Sequence, residues 1–378
     1  MASINLSTFR IQIPMTTFEK ISFESNNRPN GFDYLRIILA IAIIGWHSLT
    51  VVYPADIEAK YFIPLRPLIL FLVPSFFALS GFLVSGSLFR TQHLPTFLTL
   101  RALRIFPALF CEVIISAFLI GALLTKLPLG EYFSHPMFHS YFLNIIGDIH
   151  YTLPGVFEEN RYNYVNTQLW TIPYELECYI AISILYILTL HKRPKIFVAV
   201  LSIITLIATW YGMTHNLEVM NFRPTGRFAV ASFLWGVVAY VLKDKIPHNR
   251  IIFAICVVFA WAALHRRFGE FLAAPAIAYI TIYIGLIDYK KTFLLLAGDI
   301  SYGLYLYGFA IQQAVYQTLP QFRTWTGNFL ISLAIASIVG YISWVYVESK
   351  VLDHKKFCIA FVRSITDRIW TAPKSNTK

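Results

Sequence analysis

The sequence predicts an all-α integral membrane protein, a polytopic bundle of about ten transmembrane helices, and two observations lead to that prediction. Of the 378 residues, 57% are hydrophobic and 13% are charged, whereas about a quarter of the residues of an ordinary soluble protein are charged. Apolar runs of about 20 residues, the length that crosses a hydrocarbon core of roughly 30 Å, recur from residue 34 almost to residue 350. We therefore expect one membrane domain, residues 29–350, between an N-terminal segment, residues 1–28, and a basic tail, residues 351–378.

Ten segments fit helices that cross the bilayer, judged by their length and apolar composition. In chain order they are residues 34–53, 67–89, 103–125, 168–190, 196–212, 226–242, 251–264, 271–287, 293–317 and 328–348. The seventh segment is shorter than a full crossing, and a basic stretch, residues 265–267, follows it on the predicted outer side.

The lysines and arginines predict the orientation, because cytoplasmic loops retain them preferentially. With the N-terminus inside, the inner segments hold 22 of the 31 basic residues and the outer loops hold the other nine. Both termini are therefore expected in the cytoplasm. The longest outer segment, residues 126–167, is too polar to lie in lipid, and a loop of this length is typically functional. We expect it to cover a site on the outer face.

Composition also argues against several other classes of protein. The net charge is +11, but the basic residues lie in short loops between apolar runs, which is not the pattern of a nucleic-acid-binding surface. The four cysteines show no paired spacing, so neither a zinc site nor a disulfide framework is expected. The N-terminal segment lacks the apolar core that a cleaved signal peptide needs, so insertion is expected to rely on the first span.

The first span carries two polar residues, Arg36 and His47, eleven residues apart. At about 100° and 1.5 Å per residue, eleven steps return to within about 20° of the same helical face, with a rise of about 16 Å. Polar groups at that depth usually have a function, although a snorkelling arginine and a histidine that bridges two helices also account for the pair. Histidine suits general base catalysis and arginine suits phosphate binding. We expect both side chains to face one cavity, with Arg36 at its cytoplasmic end.

Basic and small residues follow in the next two spans. Arg101 and Arg104 lie one turn apart at the start of the third span, where two guanidinium groups on one face form an anion site, although the charge rule alone also places arginines there. Ser80 belongs to the stretch FFALSGFLVSGSLF of the second span. Small residues here let helices approach closely, or leave room for an acyl or pantetheine chain.

Polar residues of the later spans complete the candidate site. The fourth span opens with NTQLWTIPYELECYIAI, and Glu175, one turn after Thr171, is expected to orient an acceptor hydroxyl or to support His47. In the ninth span Tyr302 is expected to line the cavity, although a tyrosine there equally fits helix packing. Glu348, at the inner end of the tenth span, fits either a partner for an arginine of the site or a plain interfacial carboxylate.

In their order along the chain, these stretches resemble the acyltransferase-3 family, membrane proteins that O-acetylate sugars of bacterial surface polysaccharides and other glycans. The marks of the resemblance are FDYLR followed by His47, FFALSGFL, RALRIFPAL, QLWTIPYELECY and ISYGLYLY, over roughly residues 28–350. A single motif of this kind is weak evidence, but five in the family's order make the resemblance specific.

The resemblance implies acetyl-CoA as the donor substrate, a hydroxyl of a cell-surface or exported glycan or glycolipid as the acceptor, and the bacterial inner membrane as the location. It implies Arg36 and His47 as the essential pair, with His47 as a general base or a transient acyl carrier, and places Glu175 at the family's acidic position. The donor site is expected to include Arg36, Ser80, Arg101, Arg104 and Tyr302. Neither a metal nor nucleic acid is expected as a partner.

The sequence also departs from the family pattern. Many members have a histidine where Gly308 stands, and many have a proline where Lys350 stands. Gly308 cannot supply a second base. About 28 residues follow the last span, too few for an additional hydrolase-like domain, so the membrane domain is expected to complete the transfer alone or with a separate partner.

Two other functions also fit a bundle of ten spans with a polar interior. One is a transporter or flippase of a glycan or lipid-linked substrate, although the repeated halves common in transporters are not visible in the sequence. The other is a noncatalytic membrane scaffold, which leaves the aligned Arg36 and His47 without a purpose.

Overall fold

The computed structural model describes residues 16–25, 29–214, 224–266, 268–292 and 299–371. Over these ranges the chain is helical and contains no strand, with two isolated β-bridges, one between Thr17 and Pro247 and one between Thr125 and Val156. The predicted all-α class is confirmed.

The described ranges contain helices of very different lengths. They are α1 Phe18–Glu24, α2 Gly31–Val52, α3 Ala55–Thr91, α4 Leu94–Leu124, α5 Leu129–Ser134, α6 Pro136–Tyr141, α7 Ile172–Ile187, α8 Pro194–Thr214, α9 Gly226–Val241, α10 Arg250–His265, α11 Glu270–Gly285, α12 Ser301–Thr318, α13 Trp325–Ser343, α14 Ser349–Asp353 and α15 Lys355–Thr371. Part of α4, Ile115–Gly121, and the junction Trp344–Glu348 after α13 are π-helical. A 3₁₀ turn, Thr167–Thr171, leads into α7.

Five helical stretches are long and apolar enough to cross a membrane: α2, α3, α4, α8 and the continuous run Trp325–Thr366. The helices α9, α10 and α11 are apolar but shorter, with 16 residues each. Each of the ten predicted segments coincides with a described helix, except that residues 293–298 of the ninth lie outside the described residues. A multi-pass membrane bundle is therefore supported, whereas the number of ten crossings and the cytoplasmic termini stay predictions.

The helix α3, which contains the second predicted span, is longer than the sequence predicted. It was expected at residues 67–89 but begins at Ala55 and has 37 residues, which at 1.5 Å per residue is about 55 Å and exceeds a hydrocarbon core of roughly 30 Å. Its N-terminal part contains Lys60 and Arg66. A prediction from hydropathy begins the span after such charged residues, and for this reason it placed the beginning of the helix too late. The extra length projects toward the segment 126–167.

The helix α12 lies at the centre of the bundle. Buried residues recur on all its sides, from Ser301 to Val315, and it packs against α2, α4, α13 and the 3₁₀ turn Thr167–Thr171. A helix buried all round needs partners on every face. Its neighbour α2 carries both Arg36 and His47, so α12 brings the interior face of α2 next to its own tyrosines.

The long segment 126–167 docks onto the bundle through Arg161. The Arg161 guanidinium donates to the carbonyl oxygens of Thr50 at 3.1 Å and Tyr53 at 2.5 Å, and pairs with Glu58 at 2.5 Å. The Glu58 side chain is 2% exposed. One arginine thus fixes this segment to the end of α2 and the beginning of α3.

Candidate active site

The helices α2, α3, α4, α7, α9 and α12 converge on one cavity of about 160 Å³. An apolar protein cavity of about 150 Å³ admits benzene, so this one has room for a small group such as the acetyl end of a thioester. Its polar wall carries every predicted site residue except His47, namely Arg36, Ser80, Arg101, Arg104, Glu175 and Tyr302. Six residues far apart in the sequence therefore meet in one place.

Two of the three arginines in the wall form ion pairs with carboxylates, and they share Asp299. Arg36 Nη1 lies 3.4 Å from Asp299 Oδ2, and Arg104 hydrogen-bonds to the same oxygen of Asp299. Arg104 also lies 3.7 Å from Glu348. Because Asp299 precedes α12 while Arg36 and Arg104 belong to α2 and α4, this one carboxylate joins three helices at the arginine end of the cavity.

Arg101 differs from the other two arginines. Within the described ranges, no carboxylate lies within ion-pair distance of it, and its Nε is buried without a hydrogen-bond partner. It donates a hydrogen bond of 3.5 Å to Ser87 Oγ, and its guanidinium carbon lies 5.8 Å from the centroid of the Phe97 ring. A buried donor without a partner costs free energy, so Arg101 is the arginine best placed to bind an anionic ligand.

The carboxylate Glu175 belongs to the arginine cavity and not to the surroundings of His47. Its Oε1 accepts a hydrogen bond of 2.6 Å from the hydroxyl of Tyr179, and both side chains line the cavity. The described contacts include none between Glu175 and His47. Two roles were considered for Glu175, orienting an acceptor hydroxyl and supporting His47. Its position in the cavity favours the first.

His47 lies just beyond the cavity, farther along α2 than Arg36. Its ring packs edge-on against Phe309, with 5.3 Å between centroids, and its Nδ1 lies 3.3 Å from Nε2 of Gln168. Gln168 belongs to the 3₁₀ turn Thr167–Thr171. In that turn Thr171 lines the cavity and hydrogen-bonds to Tyr305 at 2.9 Å. One short turn therefore contacts both His47 and the cavity.

Comparison with known proteins identifies the family to which this chain belongs. A family model described as an acyltransferase domain, acyltransferase-3, matches residues 30–348. The chain belongs to the acyltransferase-3 family. This match covers the whole bundle that surrounds the cavity and agrees with the resemblance carried by the five motifs.

Two curated relatives extend the acyltransferase-3 assignment over nearly the full chain. An "O-acetyl transferase" of Shigella phage Sf6 is 27% identical over 339 residues, which is 86% of this chain and 97% of the relative. "Nodulation protein 10" of Rhizobium leguminosarum bv. viciae is 24% identical over 376 residues, which is 89% of this chain and 96% of the relative. No solved structure matches the chain significantly.

The two departures from the acyltransferase-3 pattern fall in different surroundings. Gly308 lies beside the histidine, since a Cβ added there would be 3.0 Å from Ile44 and 3.6 Å from Gln168 Nε2. Lys350 lies in α14, two residues after Glu348.

Among the described residues, no group of three or more His, Cys, Asp or Glu side chains is arranged to hold a metal ion.

Sequence reasoning assigned no role to several polar residues that the structure brings to the site: Glu112, Asn166, Gln168 and Asp299. For Glu112 a signal was available, because an acidic residue in the middle of an apolar span is rare and usually functional. For Asn166, Gln168 and Asp299 no local signal exists. They stand at the beginnings of helical elements, where polar residues are ordinary helix caps.

Proposed function

We propose that the protein transfers an acetyl group from acetyl-CoA, bound from the cytoplasmic side, to a hydroxyl of a cell-surface or exported glycan or glycolipid in the bacterial inner membrane. The observation that carries this proposal is the cavity lined by three arginines and by Thr171, which belongs to the same 3₁₀ turn as Gln168, the residue in contact with His47. Membership of the acyltransferase-3 family supports the reaction class, and the name "O-acetyl transferase" of the phage relative supports acetyl as the group transferred.

The donor would bind with its phosphates at the arginine end. Arg101 provides a cation without a carboxylate partner among the described residues, and Arg36 and Arg104 add donors that Asp299 holds in place. Planar guanidinium groups bind phosphate in bidentate fashion. Ser80 and Tyr302 line the same cavity. The volume of about 160 Å³ would take the acetyl thioester, with the nucleotide of acetyl-CoA outside it.

The chemistry assigned to His47 is general base catalysis. His47 takes the proton of the acceptor hydroxyl, the hydroxyl oxygen attacks the thioester carbonyl, and the C–S bond breaks as the new C–O ester bond forms. The CoA thiolate leaves and is protonated. Glu175, one of whose oxygens accepts from Tyr179, orients a hydroxyl in the cavity through its other oxygen.

The test is acetyl transfer in native membranes that contain the protein and its own acceptor. Labelled acetyl-CoA is supplied to the cytoplasmic face, and label is measured in the glycan and glycolipid fractions, whose acetylated species are identified by mass spectrometry. We expect transfer by the wild type and none above background by His47→Ala. Equal transfer by both proteins would refute the role of His47. Movement of a glycan or lipid-linked substrate across the membrane without any acetylated product would instead show the transporter function.

A further inference from the structure

Three buried polar residues connect His47 to α4 through hydrogen bonds, one of which involves a backbone N–H. The connection begins at Gln168, whose Nε2 lies 3.3 Å from His47 Nδ1. Asn166 Oδ1 then accepts from the backbone N–H of Gln168 at 3.1 Å, and Asn166 Nδ2 donates to Glu112 Oε1 at 2.8 Å. The exposed fraction is 1% for Gln168 and 0% for Asn166 and Glu112. Hydrogen bonds shielded from water in this way are stronger than the same bonds in solvent.

The orientation of the Gln168 amide is set by the backbone of α12. The N–H of Phe309 donates to Gln168 Oε1 at 3.2 Å, so the oxygen faces α12 and the NH₂ group faces His47. An amide NH₂ is a donor only. His47 Nδ1 therefore accepts, which in a neutral imidazole leaves the proton on Nε2. Gln168 thus selects one of the two tautomers of His47 and fixes the plane of its ring.

Asn166 holds the start of the 3₁₀ turn on two other helices. Its Nδ2 also donates to the carbonyl oxygen of Leu306 in α12 at 2.7 Å, while the bond to Glu112 reaches α4. The turn that carries Gln168 is therefore fixed at its first residue by α4 and along its side by α12. A turn held on two sides positions its side chains more sharply than a free loop does.

Glu112 ends this connection as a carboxyl inside an apolar span. Its Oε1 also accepts from Ser116 at 2.7 Å, and its Oε2 is buried with no hydrogen-bond partner among the described residues. A buried, incompletely satisfied carboxyl is costly in a membrane protein. An apolar residue of similar size would avoid that cost if packing were the only requirement of this position.

We propose that Glu112, Asn166 and Gln168 are positioning residues that hold His47, before the acceptor binds, as the tautomer with its lone pair on Nδ1, directed toward the Gln168 amide. The acceptor hydroxyl then delivers its proton to Nδ1, where it takes the place of the Gln168 amide. This inference rests on the proposed acetyl transfer, and it adds which nitrogen of His47 acts and which residues prepare it.

The first experiment compares Gln168→Leu and Gln168→Glu with the wild type in native membranes. As a carboxylate, Gln168→Glu keeps the shape and the acceptor for Phe309 N–H but presents no donor to Nδ1. We expect both variants to lower the apparent kcat by about 10- to 100-fold, the loss seen when a residue that orients a metal-binding histidine is removed. The KM for acetyl-CoA should change by less than about twofold, since uniform binding is untouched.

A conservative variant and a matched control separate positioning from general damage. Glu112→Gln keeps an acceptor oxygen for Asn166 and should retain most of the activity that Glu112→Leu loses. Thr205→Val is the matched control, since Thr205 is 5% exposed and accepts from Trp235 at 3.3 Å between α8 and α9. It should transfer acetyl groups as the wild type does.

Two outcomes would overturn the positioning role, and each is distinct from failure of the proposed function. Wild-type kcat in both Gln168 variants is the first. A rise in KM as large as the loss in kcat is the second. In both the wild type still acetylates, whereas a wild type that transfers no acetyl group refutes the proposed function itself.

Discussion

At the scale of single residues, the arginines of the cavity differ in what already neutralises them. Arg36 and Arg104 share Asp299, while the Nε of Arg101 is buried without a partner among the described residues. The sequence treats Arg101 and Arg104 as an equivalent pair, one turn apart. The structure gives them different surroundings, so their substitutions should have different effects.

Arg101→Ala should raise the KM for acetyl-CoA without a comparable loss of kcat. A charge-assisted hydrogen bond to phosphate contributes about 1.5–3 kcal/mol, or roughly 10- to 100-fold in affinity. Arg101→Lys should recover part of that affinity, because it keeps the charge and loses the planar fork. The measurement is acetyl transfer against acetyl-CoA concentration. Arg90→Ala, which removes a charge from an exposed position in the last turn of α3, serves as control, and an equal rise in KM there would contradict the specific role.

The sequence predicts only part of the site at this scale. Arg36 and His47 lie on one helix, so the helical period alone places them on one face. Asp299 and Gln168 reach the same face from positions more than a hundred residues away in the chain. No local sequence pattern predicts these two contacts, because they depend on which helices pack together.

At the scale of helices, α3 and α9 cross closely at two glycines. A Cβ at Gly81 would lie 2.1 Å from the carbonyl oxygen of Phe233, and a Cβ at Gly236 would lie 2.1 Å from that of Ala78. Both neighbours are backbone atoms that cannot move independently. Since Ser80 and Phe233 line the cavity, this crossing also sets the position of one cavity wall.

Gly236→Val should therefore destabilise the bundle. Extra methyl groups in a tightly packed contact cost about 1–3 kcal/mol, and the thermal unfolding midpoint in detergent should fall by several degrees. Gly130→Val is the control, because nothing lies within 4 Å of a Cβ at Gly130. An unchanged midpoint for Gly236→Val would show that α3 and α9 are not so close.

The anchor of the segment 126–167 gives a second prediction for an element. Arg161→Ala leaves the carboxylate of Glu58, 2% exposed, without its partner, and the loss of one member of a buried ion pair costs about 3–5 kcal/mol. We expect a marked fall in the unfolding midpoint and faster proteolysis within residues 126–167. Adding Glu58→Gln should restore part of the stability, because it removes the unpaired charge. Equal stability of the single and double variants would contradict a buried pair.

At the scale of the whole molecule, the segments predicted on one side of the membrane contact one another. Glu19 pairs with Lys243 at 3.2 Å, and Asn30 donates to the carbonyl oxygen of Tyr289 at 2.6 Å. Thr366 lies 3.4 Å from His93. If the helices cross the membrane alternately as predicted, the segments on one side must lie close to one another, as these do. The sequence predicts the grouping because charge placement follows topology, although the lengths of α9, α10 and α11 do not by themselves decide how many helices cross.

Reporter fusions test which face is cytoplasmic. A reporter active only in the cytoplasm should be active at the C-terminus and in the loop 243–250, and one active only outside should be active within residues 126–167. The proposed donor, acetyl-CoA, is a cytoplasmic metabolite that does not cross a bilayer, because its phosphates are charged. The proposed function therefore requires the arginine end of the cavity to open on the same side as the C-terminus. The reverse pattern would put Arg36, Arg101 and Arg104 on the outer side, where the proposed donor is absent, and would contradict both the predicted orientation and the proposed donor site.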